Sequence, residues 1–154
     1  MRTVDRRVVR ASAEAMFEAA ADVERWPEHL AHYRWVRFNG RRADGGVVEM
    51  AAVRPFGPLA WPVWWESEMW IDTARREVRY RHVRGVTKGM DVIWSVVPHG
   101  PQETEVTIVH TWGGPPWPLI RVPAAEWVIG PVFVHGIASR TLAGLARALE
   151  AGRE

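Results

Sequence analysis

The stretch VWWESEMWIDTARREVRYRHVRGVTKGMDVIWSVVPHGPQETEVTIVHTW, residues 63–112, decides the fold. It divides into four runs: Val63 to Asp72, Glu77 to Arg84, Met90 to Val97 and Glu105 to Trp112. Each run is rich in β-branched and aromatic residues, and short polar or Gly/Pro segments separate them, so all four read as strands in a meander. Alternation identifies the buried face. Met90, Val92, Trp94 and Val96 share one parity and are all apolar, and Val106, Ile108, His110 and Trp112 are apolar but for His110. With hairpins centred near Ala74-Arg75, Thr87 and Pro101, Met69 faces Tyr80, Tyr80 faces Trp94, and Trp94 faces Ile108. One step along, Ser67 faces His82, His82 faces Val92, and Val92 faces His110. Ser67 and His82 are then direct neighbours, about 4.5–5.5 Å apart. His82 and His110 are two strands apart, about 9–10 Å. A slip of one residue would turn all of them outward.

Upstream, Thr3 to Arg10 reads as a strand. Ser12 is an N-cap for a helix over Glu14 to Ala21, and Asp22 can cap a second short helix that runs to about Ala31 with Trp26-Pro27 in it. Arg34 to Arg41 and Val47 to Arg54 form a hairpin around Ala43-Asp44-Gly45-Gly46. A loop is expected from Pro55 to Pro62. Downstream, a helical pattern covers Ala124 to Ala151, kinked at Gly130-Pro131, with Leu142, Leu145 and Leu149 as its buried stripe. The expected architecture is α+β: a seven-stranded antiparallel sheet wrapped around a long C-terminal helix, with two short helices between strands 1 and 2. Only that last helix is long enough to cover the sheet.

The chain has 154 residues, enough for one domain over 1–154 with one core. Its net charge is +2; of its 20 basic residues all but Lys88 are arginine, scattered among acids rather than clustered, which argues against nucleic acid. Cysteine is absent, which excludes disulfides and thiolate chemistry. Pro115 to Ala138 is apolar but broken by Arg121, Glu126, Gly130, Pro131 and His135, a poor membrane span. With no apolar leader in MRTVDRRVVR, the cytoplasm is the expected location. His29 and His32 are one helical turn apart, but no third ligand lies near, so no metal is expected.

Ten tryptophans against two tyrosines are unusual. A tryptophan-rich core accounts for them, and so does a pocket for a flat ligand. Trp61, Trp64 and Trp70 suggest an outer apolar patch and a possible homodimer face, or an outer core under the proline-rich segment.

Asp22-Val23-Glu24-Arg25-Trp26-Pro27-Glu28-His29-Leu30, followed by Tyr33, resembles the polyketide aromatase/cyclases of the START-like, helix-grip superfamily. Trp65-x-Ser67, Val78-Arg79, Val83, Trp94 and the closing Ser139-Arg140-Thr141-Leu142-Ala143-Gly144-Leu145 fall in matching places. The resemblance implies a pocket that binds a poly-β-ketone and folds it for aldol condensation and dehydration, without metal or organic cofactor. It also implies a pocket arginine two residues after Ser67, where this chain has Met69. The resemblance implies that the pocket tyrosine and tryptophans survive as Tyr33, Trp26, Trp65 and Trp94.

Together these readings name His82 and His110 as candidates for proton transfer, since a near-neutral imidazole both takes and gives a proton. Tyr33 is a candidate hydrogen-bond donor to a developing enolate. Trp26, Arg54, Trp65, Ser67, Met69, Tyr80, Trp94, Ile108, Trp112 and Val134 are candidate ligand contacts. The alternative is a non-catalytic carrier or sensor of a lipid, quinone or other hydrophobic ligand. A third reading is a protein-interaction module with a filled cavity.

Overall fold

A computed structural model describes residues 1–56, 58–114 and 134–151, with the backbone alone for 54–56. The strands are β1 (Arg2–Val9), β2 (Tyr33–Arg42), β3 (Gly45–Phe56), β4 (Leu59–Asp72), β5 (Glu77–Gly85), β6 (Asp91–Gly100) and β7 (Glu103–Thr111). The helices are α1 (Ala13–Ala21), α2 (Trp26–His29) and α3 (His135–Ala151), with a 3-10 turn at Val23–Arg25 before α2. All strand pairs are antiparallel, in the order β1-β7-β6-β5-β4-β3-β2. The short helices carry the chain from one sheet edge to the other, and the meander returns strand by strand. The expected N-terminal part of the last helix, Ala124 onward with its Gly130-Pro131 kink, falls on 115–133, outside the described residues.

Ser12 caps α1 as expected, its Oγ accepting from the Ala15 N–H at 3.1 Å. Asp22 does not cap with its side chain; it instead ends α1, its N–H donating to the Glu18 carbonyl at 2.9 Å.

The loop expected from Pro55 to Pro62 is a correction. β3 and β4 continue pairing through Val53↔Pro62 and Pro55↔Ala60 up to Phe56↔Leu59. The prolines are tolerated because this ribbon overhangs the sheet: β2 ends opposite Ala52, and β5 ends opposite Trp65. Beyond the Val53 N–H, which donates to the His32 carbonyl at 2.7 Å, no strand among the described residues pairs with the outer sides of this ribbon, which is where proline is allowed in a sheet.

Burial follows the alternation. Val78, Tyr80 and His82 on β5, Val92, Trp94 and Val96 on β6, and Val106, Ile108 and His110 on β7 are all buried. Met16 and Phe17 of α1, Trp26 of α2, and Leu142 and Leu145 of α3 join them in one core. At ~25 cal/mol per Å2 of buried apolar surface, this layer is the main source of stability. Gly144 sits where α3 crosses α2, and a Cβ there would run into the Leu30 side chain.

The register holds in two of three hairpins. Met69↔Tyr80, Ser67↔His82, Trp94↔Ile108 and Val92↔His110 pair as expected. In the β5–β6 hairpin Tyr80 faces Val92 and Val78 faces Trp94, two residues from the expected pairing. His82 accordingly lies beside Gly89 and Met90, donating its N–H to the Met90 carbonyl at 2.9 Å and accepting the Gly89 N–H at 2.8 Å. The hairpin turns one residue earlier than expected, around Val86. A shift of two preserves parity, so every side chain keeps its face.

Candidate functional site

Between the concave face of the sheet and α3 lies a cavity of about 550 Å3. Its wall is largely aromatic and aliphatic. Ring contacts run through it in series. Trp94 lies 5.5 Å from Trp26, Trp26 5.3 Å from Tyr33, Tyr33 6.2 Å from Trp65, and Trp65 5.9 Å from His82. The Trp26 indole N–H donates to the Ala19 carbonyl at 3.0 Å, so its polar edge is satisfied away from the cavity.

Of the residues named from sequence, His82, His110, Tyr33, Trp26 and Trp65 border this cavity, and Tyr80, Trp94, Ile108 and Val134 do so too. Ser67, Met69 and Trp112 are not brought to it. Ser67 and Met69 are fully buried behind its wall. The Trp112 indole N–H is held by the Lys88 carbonyl at 3.0 Å. Arg54 lies in β3 opposite Trp61, and its side chain is outside the described residues. The single row of Ser67, His82 and His110 does not form. The β5–β6 offset leaves His82 level with Met90, while His110 lies level with Val92 and Tyr80. The two imidazoles sit diagonally on one wall.

Trp61 and Trp64 are both among the residues bordering the cavity, but the Trp64 ring lies on the outer face, its indole N–H donating to Glu49 Oε2 at 3.5 Å and the Arg84 guanidinium over it at 5.3 Å. Trp61 is 59% exposed, at the rim. Trp70 carries the Arg42 guanidinium over its ring at 5.6 Å.

The polar groups of the wall are few. Thr87, in the β5–β6 turn, hydrogen-bonds His82 Nδ1 through Oγ1 at 2.6 Å. Thr141 of α3 donates to the Ile137 carbonyl at 2.8 Å and meets His32 Nε2 at 3.0 Å. Neither threonine was named from sequence as a site residue. Thr141 had a signal, standing four residues before Leu145 on the buried stripe of α3. Thr87 had only its place in a Gly-flanked turn. Tyr80 Oη and His110 Nδ1 are sealed from solvent without a partner among the described residues.

Electrostatics follow from burial. Desolvation pushes His82 down to about 3, helped by His110 nearby. Desolvation, with His135 adding repulsion, pushes His110 down to about 4. Both imidazoles are neutral at pH 7. Burial raises the Tyr33 and Tyr80 phenols above their ordinary value, so both keep their protons. No group of three or more His, Asp or Glu side chains suited to a metal occurs among the described residues. No described helix is long and apolar enough to cross a membrane.

A curved seven-stranded antiparallel sheet closed by a C-terminal helix, with two short helices between the first strands, is the helix-grip fold. Residues 1–150 match the family described as polyketide cyclase/dehydrase and lipid transport, and the chain belongs to that family. No curated protein matches it significantly. Among solved structures, a protein from Thermus thermophilus aligns with TM-score 0.78 at 17% identity, covering 100% of both chains. The Zhui aromatase/cyclase from Streptomyces sp. R1128 aligns with TM-score 0.73 at 18% identity, covering 99% of this chain and 98% of its own. Norcoclaurine synthase from Thalictrum flavum aligns with TM-score 0.70 at 11% identity, covering 100% of this chain and 96% of its own. These likenesses establish the fold. A cavity between sheet and helix accords with small-molecule binding, the property common to such proteins.

Proposed function

We propose that the chain binds a hydrophobic, ring-containing or poly-ketone molecule in this cavity and promotes its aldol cyclisation and dehydration. The observation that carries the reading is the pair of neutral imidazoles, His82 and His110, in the wall of an otherwise apolar cavity. In the cyclisation, an imidazole removes a proton from a carbon flanked by carbonyls. The resulting enolate attacks a second carbonyl carbon, forming the C–C bond, and the new alkoxide takes the proton back. In the dehydration, a second α-proton leaves to imidazole, the hydroxyl leaves with a proton from imidazolium, and water is the only by-product. A depressed pKa makes the imidazolium a strong acid, which suits protonation of the departing hydroxyl more than the first deprotonation. The Tyr33 hydroxyl, which borders the cavity and keeps its proton, supplies a neutral donor for the enolate oxygen. No organic cofactor or metal is required by these steps.

The test uses a poly-β-ketone thioester as substrate and 1-naphthol as a non-reacting ligand. His110→Gln and His82→Gln should retain naphthol binding, read by tryptophan fluorescence, and lose about 10²–10⁴-fold in turnover. Wild-type protein that binds naphthol but never turns the thioester over would replace this reading with the second one.

That second reading is a carrier or sensor of a hydrophobic molecule. Its support is Met69, which stands where the resemblance implies an arginine and packs behind the wall. With it, no arginine or lysine is among the described residues bordering the cavity.

A further inference from the structure

At the β1–β7 edge three buried side-chain atoms lack a hydrogen-bond partner among the described residues: Thr3 Oγ1, Asp5 Oδ2 and His110 Nδ1. They are neighbours. Thr3 is directly opposite His110 in the ladder, and Asp5 is two residues further along β1, on the same face, opposite Ile108. Directly opposed side chains begin about 4.5–5.5 Å apart, and diagonal ones about 7–8 Å. None of the three atoms bonds another directly, and at these spacings a single bridging water can reach all of them. The three atoms are also complementary: a carboxylate oxygen that accepts, a hydroxyl that does either, and an imidazole nitrogen that donates when protonated. Buried polar atoms are rarely left unpaired, and sets of two to four commonly share one buried water.

The other Asp5 oxygen is already engaged. Oδ1 lies 2.5 Å from Nδ1 of His135, the first residue of α3. Asp5 itself is only 6% exposed. A carboxylate on an inner sheet face is expensive to bury, and one imidazole contact satisfies half of it. The remaining oxygen points to a purpose at its free side, where His110 borders the cavity.

We propose that Thr3, Asp5 and His110 hold one buried water, and that through it Asp5 orients His110 as a positioning residue. His110 Nδ1–H donates to the water, and the water donates to Asp5 Oδ2 and exchanges a hydrogen bond with the Thr3 hydroxyl. This fixes the Nδ1–H tautomer and leaves the Nε2 lone pair to the cavity. The titratable groups facing His110 are Asp5 from β1, His82 and Tyr80 from β5, and His135 from α3. The proposal deepens the function proposed above, because it explains how one of its two imidazoles is aimed.

The experiment needs no substrate. Long-range ¹H–¹⁵N correlation on uniformly labelled protein reads the His110 tautomer directly. Wild type should show one Nδ1–H tautomer from pH 6 to 8. In Asp5→Asn, His135 should keep the amide oxygen, and the amide N–H₂ should take the position of Oδ2. The water then turns round, and His110 should change to Nε2–H. Thr3→Val, which keeps the strand and its apolar contacts, should give a mixture of tautomers. A wild-type Nε2–H tautomer overturns the proposal, whether or not Asp5→Asn folds. So does an Nδ1–H tautomer that persists unchanged in folded Asp5→Asn or in Thr3→Val. Failure of the cyclisation reading is seen separately, as absent turnover in a protein whose His110 tautomer still responds to Asp5.

Discussion

The imidazole of His82 lies parallel to the indole of Trp65, with ring centroids 5.9 Å apart and planes 3° apart. Stacking fixes the plane of the imidazole, and the 2.6 Å bond from Nδ1 to Thr87 fixes its rotation within that plane. Nε2 has no hydrogen-bond partner among the described residues. A group held this way resists protonation, because the added charge would have no solvent to spread into.

That resistance makes the fold acid-labile. His82 is pushed down to about 3, and His32 and His110 to about 4, from an ordinary 6.5. Below pH 6.5 the unfolded chain takes up protons that the folded chain refuses, so stability falls as pH falls, until about pH 4 for His32 and His110 and about pH 3 for His82. Three protons give a limiting slope of about 4 kcal/mol per pH unit. Burial holds the Asp5 carboxyl above its ordinary value, which acts in the opposite sense and offsets part of the loss. Urea denaturation at pH 7, 6 and 5 should show the decline, and His82→Gln should flatten it by about one proton. A stability independent of pH over this range would contradict the burial of the three histidines.

Met69→Arg should be severely destabilising. Met69 is fully buried behind the cavity wall, so a guanidinium there reaches neither water nor a carboxylate. The loss should be on the order of 3–5 kcal/mol, read from the denaturation midpoint. A variant with near wild-type stability would mean that water reaches this position.

Gly144→Ala should cost about 1–3 kcal/mol, because the new methyl enters the space of Leu30, itself only 2% exposed. Combining it with Leu30→Ala should give a smaller loss than the sum of the two single changes. Strict additivity in the double-mutant cycle would refute a direct contact between helices α2 and α3 at this point.

Tyr80→Phe separates a structural hydroxyl from a ligand-facing one. The Tyr80 hydroxyl is buried without a partner among the described residues, so removing it should stabilise the free protein by about 1 kcal/mol. If the hydroxyl meets a ligand carbonyl, affinity for a ketone-bearing ring should fall about fivefold, while affinity for the parent hydrocarbon holds. Equal affinities for both in the variant and in wild type would assign Tyr80 to the wall alone.

The fold was legible because parity in β5, β6 and β7 is clean: their buried positions are apolar apart from His82, His110, Tyr80 and Thr104. The tip of the β3–β4 ribbon was not. Pro55 and Pro62 carry a strong loop signal, and they are compatible with pairing because no strand among the described residues pairs with the outer sides of the ribbon there. The site was legible as a face rather than as a set of contacts. Sequence placed Tyr33, Trp65, His82 and His110 on the inner side, where they border the cavity. It could not tell them from Ser67 and Met69, which share that side, because depth behind the wall depends on where the short helices settle. Nor did it suggest Asp5, whose charge argues for an exposed position until its helix partner His135 is known.

The two-residue offset between β5 and β6 bears on how such a cavity changes over generations. A hairpin that gains or loses residues in even steps slides one strand along the next while every side chain stays inside. An odd step would turn the wall inside out and be discarded. Divergence in this fold can therefore proceed like a vernier, in jumps of about 7 Å along a strand. Each jump gives His82 a different neighbour across the sheet without disturbing the core. With the present pairing, His82 and His110 reach a ligand from staggered heights. One even step in the β5–β6 turn would bring them level, and the same side chains would then address a molecule of different length.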